Sequence, residues 1–198
     1  MKIIGIEYLI RKGSSSNSEE VKRILEEVNK AVSMVVWPVG SEYFTLYPVK
    51  KANGVVPIKK NFMEHLSQNH WELEKKMEIA SRRRPGKIDA VKEISDGRFF
   101  AVEWETGNIS SSHRALNKMA VGLLDGVLVG GVLVLPSRKM YQYLTDRVGN
   151  FQEIRPYFPV WRNLAITDGL LAVIEIEYDA VSLDAPQIKK GTDGRALR

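Results

Sequence analysis

Residues 100–118, FAVEWETGNISSSHRALNK, place Glu103 and Glu105 two positions apart and follow them with an amide, hydroxyls and Arg114. In a strand, side chains alternate between faces, so both glutamates would point one way and Trp104 the other. The preceding segment KIDAVKEI is a second short strand, joined to RFFAVEW through Ser95-Asp96-Gly97, a hairpin turn. Counting outward from that turn brings Asp89 to the level of Glu103 and Glu105. Two like charges about 4 Å apart repel by roughly 4 kcal/mol at an effective dielectric near 20. Carboxylates gathered at one end of a sheet must therefore hold a proton, bind a cation or splay into water. Oxygen-only ligands suit a hard ion such as Mg²⁺. A divalent metal beside carboxylates is the chemistry of phosphodiester hydrolysis, and a carboxylate not needed as a ligand can deprotonate the water. A solvated strand face is the plainer reading of Glu103 and Glu105 taken alone.

The elements that must position these residues follow from periodicity. SSSNSEEVKRILEEVNKAV predicts an amphipathic helix, with a capping box from Ser16 and apolar Val21, Ile24, Leu25 and Val28. EYFTLYPV alternates like a strand, and ANGVVPI reads as a turn into a short extended piece. Residues 61–80 are expected as a second helix with Phe62, Leu66, Leu73 and Met77 on its apolar side. SRRRPGK is a loop stopped by Pro85-Gly86. From Ser111 the stripe Leu116, Met119, Ala120, Leu123 and Leu124 is helical. GVLVGGVLVL is an unbroken apolar run, expected of a strand covered on both faces. Pro136-Ser137 opens a helix to about Thr145, and LLAVIEIEY is a further strand. The tail, approximately 181–198, is polar and is expected to form an arm. These elements predict an α/β fold: a single domain over residues 1–198, with a central mixed β-sheet flanked by helices.

With 44% hydrophobic and 27% charged residues over 198 positions, the chain has the balance of one globular domain. Its net charge of +5 tilts the partner toward a polyanion. The absence of cysteine excludes disulfides and thiolate metal sites and is compatible with a reducing cytoplasm. The longest apolar run, residues 127–135, is broken by glycines and too short to span a bilayer, so no membrane partner is expected. The N-terminus lacks the pattern of a signal peptide.

Other residues carry two readings each. Asn108-Ile-Ser110-Ser-Ser112 can cap a helix, with Ser111 or Ser112 as the cap, and a helix start also attracts phosphate. Asp146-Arg147 can be a surface pair at a helix end. Arg82-Arg83-Arg84, Lys87 and Lys59 can be solvated cations or phosphate contacts. His113 is expected to be structural, and His65 and His70 lack ligand partners at helical spacing. Leu116, Met119 and Leu123 line either the core or a dimer seam.

RRPGKID followed by VEWE has the spacing of the PD-(D/E)xK nucleases, with Glu105 where a lysine usually stands. VEWETGNISSSHRALNK more specifically resembles the BamHI-type type II restriction endonucleases. NGVVPIK, IDAVKE, YLTDRVGNF, PYF and KGTDG continue the resemblance in the same order along the chain. It is weak before about residue 35, over 61–84 and over 159–185. The resemblance implies a restriction endonuclease-like fold and Mg²⁺-dependent cleavage, with Mn²⁺ able to substitute. By it, Asp89 and Glu103 are metal ligands together with the Trp104 carbonyl, and Glu105 is the general base. In HWELEK, Glu74 is assigned as a helix carboxylate for a second metal, with Glu72 as the alternative. Asn108, Ser110, Arg114, Asp146 and Arg147 match major-groove readers. That assignment agrees with the pairing of arginine to guanine, asparagine to adenine and aspartate to cytosine. Gly191 and Asp193 fall in an arm that reaches the minor groove. The implied activity is cutting of double-stranded DNA at GGATCC after the first G, leaving 5′ GATC overhangs. The implied partners are a second copy in a two-fold homodimer and a cognate methyltransferase that protects host DNA. The alternative is a DNA-binding protein of the same fold without cleavage.

Overall fold

The computed structural model describes residues 1–80, 85–145 and 148–190. In chain order its elements are β1 (Lys2–Lys12), α1 (Glu19–Ser33), β2 (Thr45–Leu46), α2 (Val56–Gln68), β3 (Glu72–Lys76), β4 (Lys87–Glu93), β5 (Phe99–Trp104) and α3 (Ile109–Leu124). They continue with β6 (Leu128–Pro136), α4 (Arg138–Tyr141), α5 (Phe151–Ile154), α6 (Phe158–Arg162), β7 (Gly169–Glu177) and β8 (Ala180–Val181). Six strands form one mixed sheet in the order β1-β7-β6-β5-β4-β3. β5, β6 and β7 are parallel, whereas β1, β4 and β3 run antiparallel to their neighbours. The fold is the expected α/β domain with a mixed sheet between helical layers. Among the described residues, no helix is long and apolar enough to cross a membrane.

The sheet separates two hydrophobic clusters. Phe100, Val102 and Trp104 of β5 pack with α1 and α2, while Ala101 of the same strand packs with α3 and the short helices after residue 150. β6 is buried at every position, as its unalternating apolar run requires. Gly130 lets β6 pass against its neighbour: a Cβ there would sit 2.3 Å from the Phe100 ring. The 95–97 turn forms as expected, with Gly97 at φ 85° and its amide donating to the Ile94 carbonyl at 2.9 Å.

Several boundaries differ from expectation. The cap of α1 is Ser18, which accepts from the Val21 amide at 3.2 Å, and not Ser16, whose buried hydroxyl donates to the Gly13 carbonyl. α2 begins at Val56 and ends at Gln68, because proline fits a first helical turn. Residues 56–58 are therefore helical rather than extended, with Val55 just before the helix. Residues 72–76 are not helix but edge strand β3, reached through a turn in which His70 has φ 64°. Their apolar spacing and helix-forming Glu, Leu and Lys fit a helix, but the open edge of β4 offers backbone partners that override this local preference. EYFTLYPV contributes only β2, which pairs in parallel with β8 apart from the main sheet. α4 stops at Tyr141, and Leu144 bridges to Asn53 instead of extending the helix. β1 is an eleven-residue strand at the sheet edge. Register shifts at Ile3/Gly5 and Tyr8/Ile10 interrupt the alternation that would have announced it.

The Gly130–Phe100 contact is rigid on both sides. Gly130→Ala is expected to cost about 1–3 kcal/mol through overpacking, measured as a lowered midpoint of denaturant unfolding with an unchanged m-value. A variant as stable as the parent would show that β5 and β6 can part here.

Candidate active site

The acids gather because three strands are in register. Ala90 pairs with Val102, so one step toward the open end sets Asp89 opposite Glu103. The Asp89 amide lies 3.3 Å from Glu103 Oε2, and Asp89 Oδ2 accepts the Trp104 amide at 2.8 Å. On the other side, Leu73 pairs with Ala90 and Lys75 with Ile88, which leaves Glu74 facing Asp89 between them. Glu74, Asp89 and Glu103 therefore lie in one row across β3, β4 and β5. The sequence reading placed Glu74 on a helix; it reaches this row from a strand, at a residue with φ 53°. Its carboxylate turns to Lys87 Nζ at 3.3 Å. Glu72 is two positions away on β3 and pairs with Lys75 at 2.7 Å.

Glu105 follows β5, its amide still donating to the Val134 carbonyl at 3.3 Å. Its Oε1 accepts the Gly107 amide at 2.6 Å. A Cβ on residue 107 would sit 2.8 Å from that oxygen, so any larger residue here would push the Glu105 carboxylate from its place. Asn108 then caps α3, accepting the Ser111 amide on Oδ1 at 3.2 Å. Asn108 thus does the capping that the sequence reading gave to Ser111 or Ser112, and Ser112 is buried. Arg114 and Ser111 share one face of α3, 3.5 Å apart.

A small cleft of about 200 Å³ joins Asp89, Glu103, Glu105, Ser111, Arg114 and the lysines Lys59, Lys87 and Lys118. Lys59 from α2 holds Asp89 Oδ1 at 2.5 Å. Lys118 from α3 holds Glu103 Oε1 at 2.8 Å and the Lys87 carbonyl at 2.5 Å. Lys59 was identified from sequence and Lys118 was not. Yet Ser111, Arg114 and Lys118 fall at i, i+3 and i+7 on α3, a spacing that carries the signal. Burial, and then the charge of Asp89, push the Glu103 carboxyl up to about 7 against the pull of Lys118. Burial also raises Glu105, opposed mainly by the bond from Gly107.

The donor set is chemically suited to a hard divalent cation, since Asp89 and Glu103 offer only oxygen. Among the described residues, no three acids, histidines or cysteines converge on one point. Asp89 and Glu103 meet, while Glu105 is turned to Gly107 and Glu74 to Lys87. His113 stacks in an aromatic pocket, 4.5 Å from Tyr157 and 5.7 Å from Trp161 between ring centres, in keeping with a structural role.

Asp146, Arg147, Gly191, Asp193 and Arg82 to Arg84 lie outside the described residues. The segments leading to the first two pairs are described, and Asn53 joins them. It is fully buried, and its Nδ2 donates to the Tyr47 and Tyr143 carbonyls at 2.8 and 3.0 Å. Its Oδ1 accepts from the Ile188 amide at 3.3 Å, and its carbonyl accepts from the Thr145 amide at 2.7 Å. One asparagine thus ties the residues before Asp146 to those before Gly191.

Comparison with known proteins gives the chain's relatives. The family model described as restriction endonuclease BamHI matches residues 1–195. The chain is 54% identical over 198 residues to the type II restriction enzyme OkrAI of Oceanobacter kriegii, covering 100% of each. It is 35% identical over 191 residues to the type II restriction enzyme BamHI of Bacillus amyloliquefaciens, covering 92% of this chain and 87% of that one. The crystal structure of restriction endonuclease BglII complexed with a DNA 16-mer shares the fold, with a TM-score of 0.66 at 12% identity. That match covers 91% of this chain and 83% of the other.

The raised Glu103 carboxyl links stability to pH. The folded state holds this proton up to about 7, whereas the unfolded chain releases it near 4.5. In metal-free buffer, stability should therefore fall as pH rises from about 4.5 to about 7 and then level, by roughly 2–3 kcal/mol in all. Denaturant unfolding across that range checks it: Glu103→Gln should flatten the slope, and an equally steep slope in that variant would assign it to another group.

Proposed function

Because the chain belongs to the BamHI family of restriction endonucleases and is a site-specific deoxyribonuclease, we propose that it cuts double-stranded DNA at GGATCC, after the first G, with Mg²⁺ as its divalent metal. The observation that carries this reading is the direct link between the acid row and the start of α3. Two residues after Glu105 comes the glycine that holds it, and the next residue, Asn108, is the helix cap. The catalytic groups and the matched base readers thus share one short segment.

In this reading Asp89, Glu103 and the Trp104 carbonyl hold the metal, with Glu74 the further ligand that the strand register favours over Glu72. When bound, the metal supplies Lewis-acid polarisation of the phosphoryl oxygen. Glu105 is positioned by the Gly107 amide, and its raised affinity for a proton suits it to take one from the attacking water. Lys59 and Lys118 present ammonium groups to the phosphate that enters the cleft. Arg114 and Ser110 read guanine and its neighbours from α3. Asn108 uses Oδ1 for the cap, which leaves its Nδ2 donors for a base acceptor. Asp146 and Arg147 complete the major-groove set, and Gly191 and Asp193 enter the minor groove. Mn²⁺ substitutes for Mg²⁺. The palindrome is read by a two-fold homodimer, in the cytoplasm, with a methyltransferase protecting host sites.

Plasmid carrying one GGATCC site tests the reading directly. Linearisation with Mg²⁺, and ends that ligate to GATC overhangs, are expected. Retained DNA binding without discrete fragments in Mg²⁺ or Mn²⁺ would instead establish a binding protein. A duplex with one altered base pair should lose roughly 1–3 kcal/mol of discrimination. Equal cutting of both duplexes would remove the sequence choice.

Two side chains separate the roles. Glu103→Ala should abolish cleavage while leaving duplex affinity within about tenfold, a change of only 1.4 kcal/mol. Glu105→Gln should slow single-turnover cleavage by about 10²–10⁴-fold, the usual contribution of a positioned base. Near-parent rates in either variant would take that residue out of its role.

A further inference from the structure

A second cavity, of about 650 Å³, is walled by cations: Lys50, Lys51, Arg138 and Lys139 surround Tyr141 and Thr145. It belongs to none of the groups that ligate, cut or read. Its place in the sheet relates it to the acid cleft. β5, β6 and β7 are parallel, with Trp104 opposite Val134 and Pro136 opposite Ile176, so their C-terminal ends share one edge. Glu105 leaves that edge from β5, and Arg138 and Lys139 leave it just after β6. Ligands of open parallel sheets bind along such an edge. A narrow apolar gap, touched by Glu105 and Thr106 on one side and Leu144 on the other, separates the cavity from the cleft.

The cations are set in place rather than loosely arrayed. Arg138 lies 5.0 Å from the Tyr141 ring centre and 3.7 Å from Glu153. Lys139 lies 4.8 Å from the Tyr178 ring centre and 3.4 Å from the buried Glu177. Lys50 is exposed and has no carboxylate partner among the described residues. The backbone of Lys51 is fixed through its amide to the Gln142 carbonyl at 2.9 Å, so the two walls are joined. Among the described residues Lys50, Arg138 and Lys139 meet only Glu153 and Glu177, which leaves a surplus of positive charge. Two strand spacings, about 10 Å, separate the β5 end from the β7 end against which Lys139 rests. A duplex carries a phosphate about every 3.4 Å of axis on each strand, so its backbone spans that gap within a few nucleotides.

We propose that this cavity is a phosphate-binding site for the DNA backbone, engaging the duplex a few nucleotides from the bond held in the acid cleft. The inference rests on the duplex-cutting function proposed above. Its role is to set the register of the duplex on the protein through charge, without reading bases.

The test is the salt dependence of duplex affinity, read by fluorescence anisotropy without divalent metal. Each phosphate neutralised by a cation contributes about 0.9 to the slope of log K against log salt. The combined variant Lys50→Gln, Arg138→Gln, Lys139→Gln should flatten that slope by about 2–3. Lys50→Gln alone, which breaks no described ion pair, should flatten it by about 0.9 and decides the matter if the combined variant fails to fold by circular dichroism. A charge-matched control, Lys12→Gln, Arg23→Gln, Lys30→Gln on β1 and α1, should keep the parent slope. Parent-like slopes in the cavity variants, or equal flattening in the control, would overturn the site. A parent protein that binds no duplex would overturn the proposed function itself, a result distinct from either.

Discussion

The structure depends on holding carboxylates together against their own repulsion. Asp89 and Glu103 are largely buried, at 14% and 12% side-chain exposure, and their strands are locked in register by an antiparallel hairpin. They cannot move apart without breaking that ladder. Each is instead held by a lysine from a different helical layer, Lys59 from below the sheet and Lys118 from above. Helices α2 and α3 are thereby tied electrostatically to the same two strands whose faces they cover. Removing one lysine would leave a buried charge unpaired, a larger loss than the pair contributes.

Chemistry and recognition are joined by a segment with little freedom. Glu105 is fixed by the Gly107 amide, Asn108 caps the helix, and the Gly107 carbonyl accepts from the Gly149 amide at 2.8 Å. The last bond brings the chain just after Arg147 beside the cap of α3. Asn53 performs a similar service from the other side, bonding the strands of chain that lead to Asp146 and to Gly191. Buried polar networks of this kind have little tolerance for partial loss, because each orphaned group in a low-dielectric setting is costly. Displacement of either segment is therefore transmitted to the acid row through these side-chain and backbone hydrogen bonds together.

The features legible in the sequence were those whose patterns are local. The 95–97 turn, the unalternating run of β6 and the stripe of α3, except for the exposed Leu124, formed as their residues require. So did the Asp89–Glu103 juxtaposition, because a hairpin fixes register by counting. β3 was illegible because Leu73 and Met77 satisfy a helical period, and the free edge of β4 is a tertiary fact. β1 hid behind its two register shifts. Lys118 went unnoticed since its function requires knowing which face of α3 meets β5. Glu74 illustrates the division: the resemblance picked it out, but its secondary structure was not readable.

The exchange of lysine for glutamate at position 105 becomes intelligible as a matter of charge balance in space. A third acid on this segment would make a phosphate-binding cleft strongly negative if the sequence neighbours alone counted. Lys59, Lys87, Arg114 and Lys118 line the same cleft as Asp89, Glu103 and Glu105, so four cations face three acids. The cation absent from the strand is supplied by the helices on either side of it. Such a cleft repels an approaching polyanion far less than its motif suggests, since opposite charges a few ångströms apart largely cancel at longer range. The lysines are bound to carboxylates only by contacts that a phosphate oxygen can replace, with the same donor geometry. In the function proposed above, transfer of an ammonium from carboxylate to phosphate would uncover the carboxylate at the moment the nucleic acid arrives. On that reading the acids that would hold the metal are released by the substrate they act on.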